Sequence, residues 1–243
     1  MFWNLVRYEF KNVNKWYLAL YGAVLALSAL IGIQASSLKS IDTPDQEMIM
    51  LVFLGLVFGG LIITLSISTL ILIIRRFKGS VYDRQGYLTL TLPVSEHQII
   101  LAKLLGAFIW SLISSAVLVL SIYIILVIIE PNSVDFLAFK DLFQQYLDSI
   151  SLSLISFILS TVASILCIYL AISIGQLFNE YRTALAVLAY IVIHVVLGFI
   201  GLNIRIDINY NLMMYVEIIK DLILSAAFYL GTYYILKNKV NLQ

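Results

Sequence analysis

Long apolar runs separated by short polar stretches dominate the chain. The six runs cover about Trp16–Gln34, Met48–Ile74, Ile99–Ile129, Asp141–Phe178, Thr183–Leu202 and Tyr215–Leu236. A helix rises about 1.5 Å per residue, so about 20 residues cross the hydrocarbon core of a bilayer. Because hydrocarbon offers no partner to free backbone groups, each run is expected to be a continuous helix. We therefore predict an all-α integral membrane fold, in which residues 16–243 form one domain of six transmembrane helices.

Residues 1–15 have an amphipathic pattern instead. Apolar side chains recur at helical spacing on one side, and basic side chains lie on the other: Phe2, Leu5, Val6, Phe10 and Val13 against Arg7, Lys11 and Lys15. This pattern predicts an interfacial helix that lies on the membrane surface. Glu9 falls within the apolar arc, where it either faces a protein partner or extends towards the lipid headgroups.

Composition supports a lipid environment. Hydrophobic residues make up 62% of the 243 residues and charged residues only 12%, whereas soluble domains carry about 25% charged residues. If the amino terminus is placed inside, eleven Lys and Arg residues fall on the cytoplasmic side and four outside. The positive-inside bias therefore predicts a multi-pass protein of the cell membrane with both termini cytoplasmic. No basic tract suggests nucleic acid as a partner.

The connection between the second and third runs, residues 75–98, is the most informative segment. Ser95 and Gln98 form a capping box that predicts the start of the third span. Gly86 and Pro93 predict turns or breaks within the segment. Its mixture of aromatic and charged side chains is typical of a docking surface. A solvated connection between two helices is the alternative interpretation.

Residues 76–95 (RFKGSVYDRQGYLTLTLPVS) resemble the cytoplasmic loop of ABC-2 type transporter permeases from Gram-positive bacteria. The resemblance implies a permease subunit of an ATP-driven exporter that moves hydrophobic or amphipathic compounds such as peptides or drugs. It implies two copies of an ATP-binding subunit that carries ATP and Mg²⁺, and a second permease, either identical or paralogous. It also implies a coupling helix over Lys78–Gly86 beside the amino-terminal helix. The residues expected to contact the ATP-binding subunit are Lys78, Tyr82, Asp83, Arg84, Gln85, Gly86, Tyr87 and Glu9.

The same resemblance implies two short re-entrant helices before the last span. Residues 198–221 (GFIGLNIRIDINYNLMMYVEIIKD) match that feature by position and by their mixture of polar and apolar residues.

Motifs of enzymatic chemistry do not occur in the sequence. It contains no G-x-x-x-x-G-K-[ST] phosphate loop, no H-E-x-x-H metal motif and no G-x-S-x-G nucleophile elbow. We therefore expect that this chain is not an enzyme and holds no cofactor or metal. A membrane enzyme is disfavoured for the same reason. A non-transporting sensor or scaffold of a peptide-response or immunity system is the alternative function.

Small residues form a stripe along the fourth run, spaced three or four residues apart: Ser149, Ser153, Ser156, Ser160, Ser164, Cys167, Ala171 and Gly175. This spacing places them on one helix face, where they either allow close helix packing or line a substrate path or dimer seam. His194 lies in the middle of the fifth run and is either a functional group or a neutral histidine hydrogen-bonded to a neighbouring helix. Lys220 and Asp221 are expected near the headgroups, where they could pair.

Overall fold

The structure is a computed structural model that describes residues 2–11, 15–38, 45–82, 95–130, 147–178, 180–203 and 210–239. Helices make up nearly all of these residues, and no strand occurs among them. The helices are α1 (Phe2–Lys11), α2 (Lys15–Leu38), α3 (Asp45–Val81), α4 (Glu96–Ile129), α5 (Leu147–Gly175), α6 (Arg182–Asn203) and α7 (Tyr210–Lys239). The predicted all-α class is thus confirmed for the described residues.

Five of the described helices are long and apolar enough to cross a membrane. The segments are Tyr17–Ser37 in α2, Val52–Gly79 in α3, Glu96–Ile129 in α4, Ser149–Gly175 in α5 and Arg182–Phe199 in α6. The predicted class of multi-pass membrane protein rests on these five. The sixth predicted span corresponds to α7, which has 30 residues but carries Glu217, Lys220 and Asp221 in its first half. The sixth span therefore stays a prediction.

The end of α3 differs from the expectation that a separate coupling helix begins at Lys78. Residues Lys78–Val81 form the last turn of the same helix that begins at Asp45. Ile73, Phe77 and Val81 follow one another at intervals of four residues and are all buried. Because this apolar face stays packed beyond the adjacent Arg75 and Arg76, the helix continues through these two residues.

The start of α7 also differs from the expected pair of re-entrant helices. Residues 198–203 are the end of α6, and residues 210–221 are the start of a continuous helix that runs to Lys239. Residues 204–209 lie outside the described part. No proline interrupts α7, and its charged residues are spaced three and four apart, so a straight helix places them on one face.

The described residues divide into two compact units. The first comprises residues within 1–11, 72–108 and 147–243. Its central helix is α5, which packs against both α6 and α7. Residues Ile165–Tyr169 of α5 are buried without interruption, and Phe77 stacks on Tyr169 with ring centroids 3.9 Å apart and planes 9° apart. An apolar side chain surrounded by protein in this way is held by close packing, since lipid is as apolar as the core.

The connection from α5 to α6 in this unit depends on a glycine. A Cβ atom on Gly175 would lie 2.7 Å from the Cβ of Ala186 and against the backbone carbonyl of Arg182. Tyr181, just before α6, has a φ of 55°, which places it in the left-handed region. These two positions bring the end of α5 and the start of α6 into backbone contact.

The second unit comprises residues within 12–71 and 109–146. Four of its hydroxyl groups, contributed by α2, α3 and α4, form one cluster. The Tyr21 hydroxyl lies 2.9 Å from Ser114 Oγ, and the Tyr17 hydroxyl contacts both Ser114 Oγ, at 3.2 Å, and Thr69 Oγ1. Trp110 packs edge-on against the Tyr17 ring. Hydroxyl pairs of this kind join helices in apolar surroundings.

Candidate functional site

The small-residue stripe of α5 lines two adjoining cavities. The first, the polar cavity, has a volume of about 420 Å³. Ser153, Ser156 and Ser160 form its α5 side, and Glu217 and Lys220 lie on its α7 side. Short side chains on α5 leave space that larger residues would fill, so the stripe explains why a cavity exists here.

The second, the apolar cavity, has a volume of about 540 Å³. Its walls are mostly hydrophobic and include Ala163 of α5, Leu197 of α6, and Ile219 and Phe228 of α7. Cys167, the one cysteine of the chain, also lines it. Small-molecule sites commonly combine such an apolar wall with a few polar groups.

Within the described part of the chain, three residues line both cavities: Ser160, Lys220 and Asp221. Lys220 Nζ lies 3.7 Å from Asp221 Oδ1, and the Asp221 side chain is 10% exposed whereas that of Lys220 is 54% exposed. An isolated buried carboxylate is costly in apolar surroundings, and the neighbouring ammonium lowers that cost. The charged groups therefore mark the boundary between the polar and the apolar cavity.

His194 of α6 lies on the wall of the apolar cavity. Its Nδ1 atom is 3.0 Å from the backbone carbonyl oxygen of Tyr190, which lies in α6 itself and not in a neighbouring helix as expected. A carbonyl only accepts hydrogen bonds, so we assign the proton to Nδ1 from this geometry. In the neutral ring, Nε2 is then an acceptor.

The structure thus brings several predicted residues together. Ser153, Ser156, Ser160, Ser164 and His194 all line one or both cavities. Ser149 lies one turn earlier on α5, where its carbonyl accepts a hydrogen bond from Ser153 Oγ at 2.7 Å.

Sequence reasoning did not associate Glu217, Lys220 and Asp221 with the stripe. Their spacing in the sequence places them on one face of α7. That signal alone does not reveal that this face meets the serines of α5.

A second feature of the site is the way α3 ends against α5 and α6. Besides the Phe77–Tyr169 stack, the Tyr82 hydroxyl donates a hydrogen bond of 2.8 Å to Ser173 Oγ. Burial raises the pKa of Tyr82 to about 12, although the bond to Ser173 acts in the opposite direction. The phenol therefore stays protonated at neutral pH and remains a donor. Lys78 Nζ donates to Thr183 Oγ1 of α6 at 3.1 Å.

The start of α4 is held in the same way against α7. The predicted cap is confirmed, because α4 begins at Glu96 and the Gln98 N–H donates to Ser95 Oγ at 3.4 Å. His97 stacks on Tyr233 with ring centroids 3.9 Å apart, and its Nδ1 lies 2.6 Å from the Tyr229 hydroxyl. Sequence reasoning did not identify this contact, although two tyrosines four residues apart on α7 were a visible signal.

These two sets of contacts flank residues 83–94, which lie outside the described part of the chain. Of the predicted coupling residues, Lys78 and Tyr82 contact α6 and α5. The others of that set, Asp83, Arg84, Gln85, Gly86 and Tyr87, fall outside the described residues, as does the side chain of Glu9. We call residues 83–94 the connector.

Comparison with known proteins adds no relative. No protein-family model matches the chain, and no curated protein or solved structure matches it either. Within the described ranges, no group of three or more His, Cys, Asp and Glu side chains is placed to hold a metal ion. The fold and site therefore define a multi-pass helical membrane protein with a cavity of mixed polarity between α5, α6 and α7.

Proposed function

We propose that this chain is the permease subunit of an ATP-driven ABC exporter. The observation that carries the proposal is that both flanks of the connector are anchored on the helices that line the cavities. The resemblance of residues 76–95 to the coupling loop of ABC-2 permeases supports the same assignment. A protein that docks on the connector therefore has two direct routes to the cavity helices.

The anchors lie close to the cavity walls along each helix. Tyr169, which stacks on Phe77, comes two residues after Cys167, and Tyr229, which contacts His97, directly follows Phe228. At about 1.5 Å rise per residue, a shift at either anchor reaches the cavity within one helical turn. Packed helices move as rigid elements, so displacement of the connector flanks is expected to change the shape of the cavities.

The complete transmembrane arrangement belongs to this proposal. In it α7 is the sixth span, and both termini are cytoplasmic. The distribution of Lys and Arg, eleven against four, supports that orientation. A length of 30 residues corresponds to about 45 Å of helix, enough to cross the roughly 30 Å core with its charged residues in the first half towards the opposite side.

In this proposal, ATP binds to another polypeptide and not to this chain. The proposal assigns ATP and Mg²⁺ to a separate subunit, and the absence of a G-x-x-x-x-G-K-[ST] phosphate-binding loop from this chain is consistent with that assignment. The resemblance to ABC-2 permeases implies two copies of this ATP-binding subunit. A second permease, identical or paralogous, completes the proposed exporter.

Charge reversal in the connector tests the assignment. We expect the full chain to capture an ATP-binding subunit from its native membrane, identified by photolabelling with azido-ATP. Asp83→Arg and Arg84→Glu should each abolish the capture, because ion pairs across a docking surface become repulsive. The matched control is Glu180→Lys, at an exposed residue between α5 and α6, which should leave capture unchanged. Absence of any ATP-binding protein with the unmodified chain, or normal capture by both connector variants, would contradict the proposal.

A further inference from the structure

We propose that the paired cavities bind an amphiphile with a cationic ammonium head, which lies in the polar cavity, and a hydrophobic body, which lies in the apolar cavity. The proposal that this ligand is transported rests on the proposed function. The proposal that the cavities bind it rests only on the geometry of α5, α6 and α7.

The shape of the site favours an amphiphile. The two cavities share Ser160, Lys220 and Asp221, so they adjoin at a common wall. One side of that wall presents serine hydroxyls and carboxylates, and the other presents hydrophobic residues such as Leu224 and Phe228. A ligand that fills both cavities needs a polar end and an apolar end.

The charge of the site selects the sign of the polar end. Among the residues that the structure describes, three ionisable side chains line the polar cavity, namely Glu217, Lys220 and Asp221. When all three are ionised, they carry one net negative charge. Lys220 is already 3.7 Å from Asp221, which leaves the Glu217 carboxylate as the group whose charge a ligand would balance. An ammonium group does so, whereas an anionic head would add a second negative charge beside it.

Hydrogen-bonding capacity points in the same direction. Serine hydroxyls and carboxylates accept hydrogen bonds, and an ammonium group carries only donors. In the apolar cavity, the neutral form of His194 offers Nε2 as a further acceptor, because its Nδ1 proton is directed at the Tyr190 carbonyl. The walls of both cavities are thus richer in acceptors than in donors, with Lys220 as the charged exception.

Photolabelling of the full chain tests this proposal without ATP or a partner subunit. The probe is dodecylamine with a diazirine near the end of its alkyl chain, added to the protein in phosphatidylcholine vesicles. Its matched analogues are the dodecanol and the dodecanoic acid with the same diazirine. We expect the amine to label α5 and α7 peptides that line the cavities, and each analogue to label them less.

Single substitutions test whether the polar cavity favours a positively charged head group. Glu217→Gln should lower labelling by the amine about threefold, and Lys220→Gln should raise it by a similar factor, which is the range of a partly exposed charge interaction. Glu180→Gln, outside both cavities, should leave labelling unchanged. A misfolded variant does not gain specific labelling, so the rise with Lys220→Gln keeps the test informative.

A competition experiment with phosphatidylethanolamine distinguishes a lipid amine from a free cationic amphiphile as the natural ligand. If phosphatidylethanolamine in the vesicles suppresses the labelling, the occupant is a lipid amine; if it does not, the site takes a free cationic amphiphile. Equal labelling by all three probes, or labelling by the amine that rises with Glu217→Gln and falls with Lys220→Gln, would overturn the proposal. That failure would leave capture of an ATP-binding subunit untouched, and a failure of capture would leave the labelling result valid.

Discussion

Substitution of Gly175 by alanine is expected to destabilise the first unit by about 3 kcal/mol, at the upper end of the usual cost of overpacking. The added Cβ would fall against the Arg182 carbonyl and 2.7 Å from the Ala186 Cβ. These groups belong to the backbone or are attached directly to it, so no rotamer change relieves the contact and α6 has to move. The free energy of unfolding in mixed micelles of mild detergent and dodecyl sulfate measures the effect.

Gly198 supplies the matched control for that prediction. It lies within α6, and nothing in the described structure comes within 4 Å of a Cβ placed there. Gly198→Ala is expected to leave stability unchanged or to raise it by up to about 1 kcal/mol, since alanine favours the helix. If Gly175→Ala were as stable as Gly198→Ala, the close approach of α5 and α6 would be wrong.

Replacement of Phe77 by alanine is expected to cost about 3 kcal/mol, the low end of the range for a buried phenylalanine. Phe77 is fully buried, and its ring stacks on Tyr169. Lipid supplies apolar surroundings to an unfolded chain, so the loss comes from the vacated volume and its missing contacts rather than from water. The same unfolding titration measures it.

Phe53 of α3 is the control for this substitution. It is 63% exposed, so Phe53→Ala removes few protein contacts and should change stability by less than about 0.5 kcal/mol. Equal losses for both variants would contradict the packed anchor at the end of α3. Because Phe77 also joins α3 to the central helix, its loss is expected to weaken the link between the connector and the cavities.

The helices of this protein follow from local patterns, whereas their partners do not. Apolar runs of about 20 residues predicted the five described helices that are long and apolar enough to cross a membrane, and Ser95 predicted the start of α4, because each signal lies within one continuous stretch of sequence. The continuation of α3 through Lys78 was not predicted, since it depends on the packing of Phe77 against Tyr169, which lies far along the chain. Likewise, the hydroxyl contact of Tyr21 with Ser114 joins residues 93 positions apart.

The candidate site was predictable to the same extent. The period of three and four residues placed the serines on one face of α5. It did not reveal that α7 lies opposite, nor that Lys220 and Asp221 meet this face. For the connector anchors, sequence resemblance predicted that Lys78 and Tyr82 contact an ATP-binding subunit, which stays a prediction. Their contacts with Thr183 and Ser173 required the fold.

The central claim is that the connector transmits the state of an ATP-binding subunit to the cavities. It is tested most directly at position 164, which is exposed and lines the apolar cavity. Cys167→Ser removes the only cysteine of the chain, and Ser164→Cys then places a single thiol on the cavity wall.

The measurement is the rate at which a maleimide labels that thiol in vesicles containing the chain and its captured ATP-binding subunit. We predict that ATP changes the labelling rate relative to ADP, and that Phe77→Ala removes the difference. An identical rate with ATP and ADP, in a complex that hydrolyses ATP, would contradict the claim.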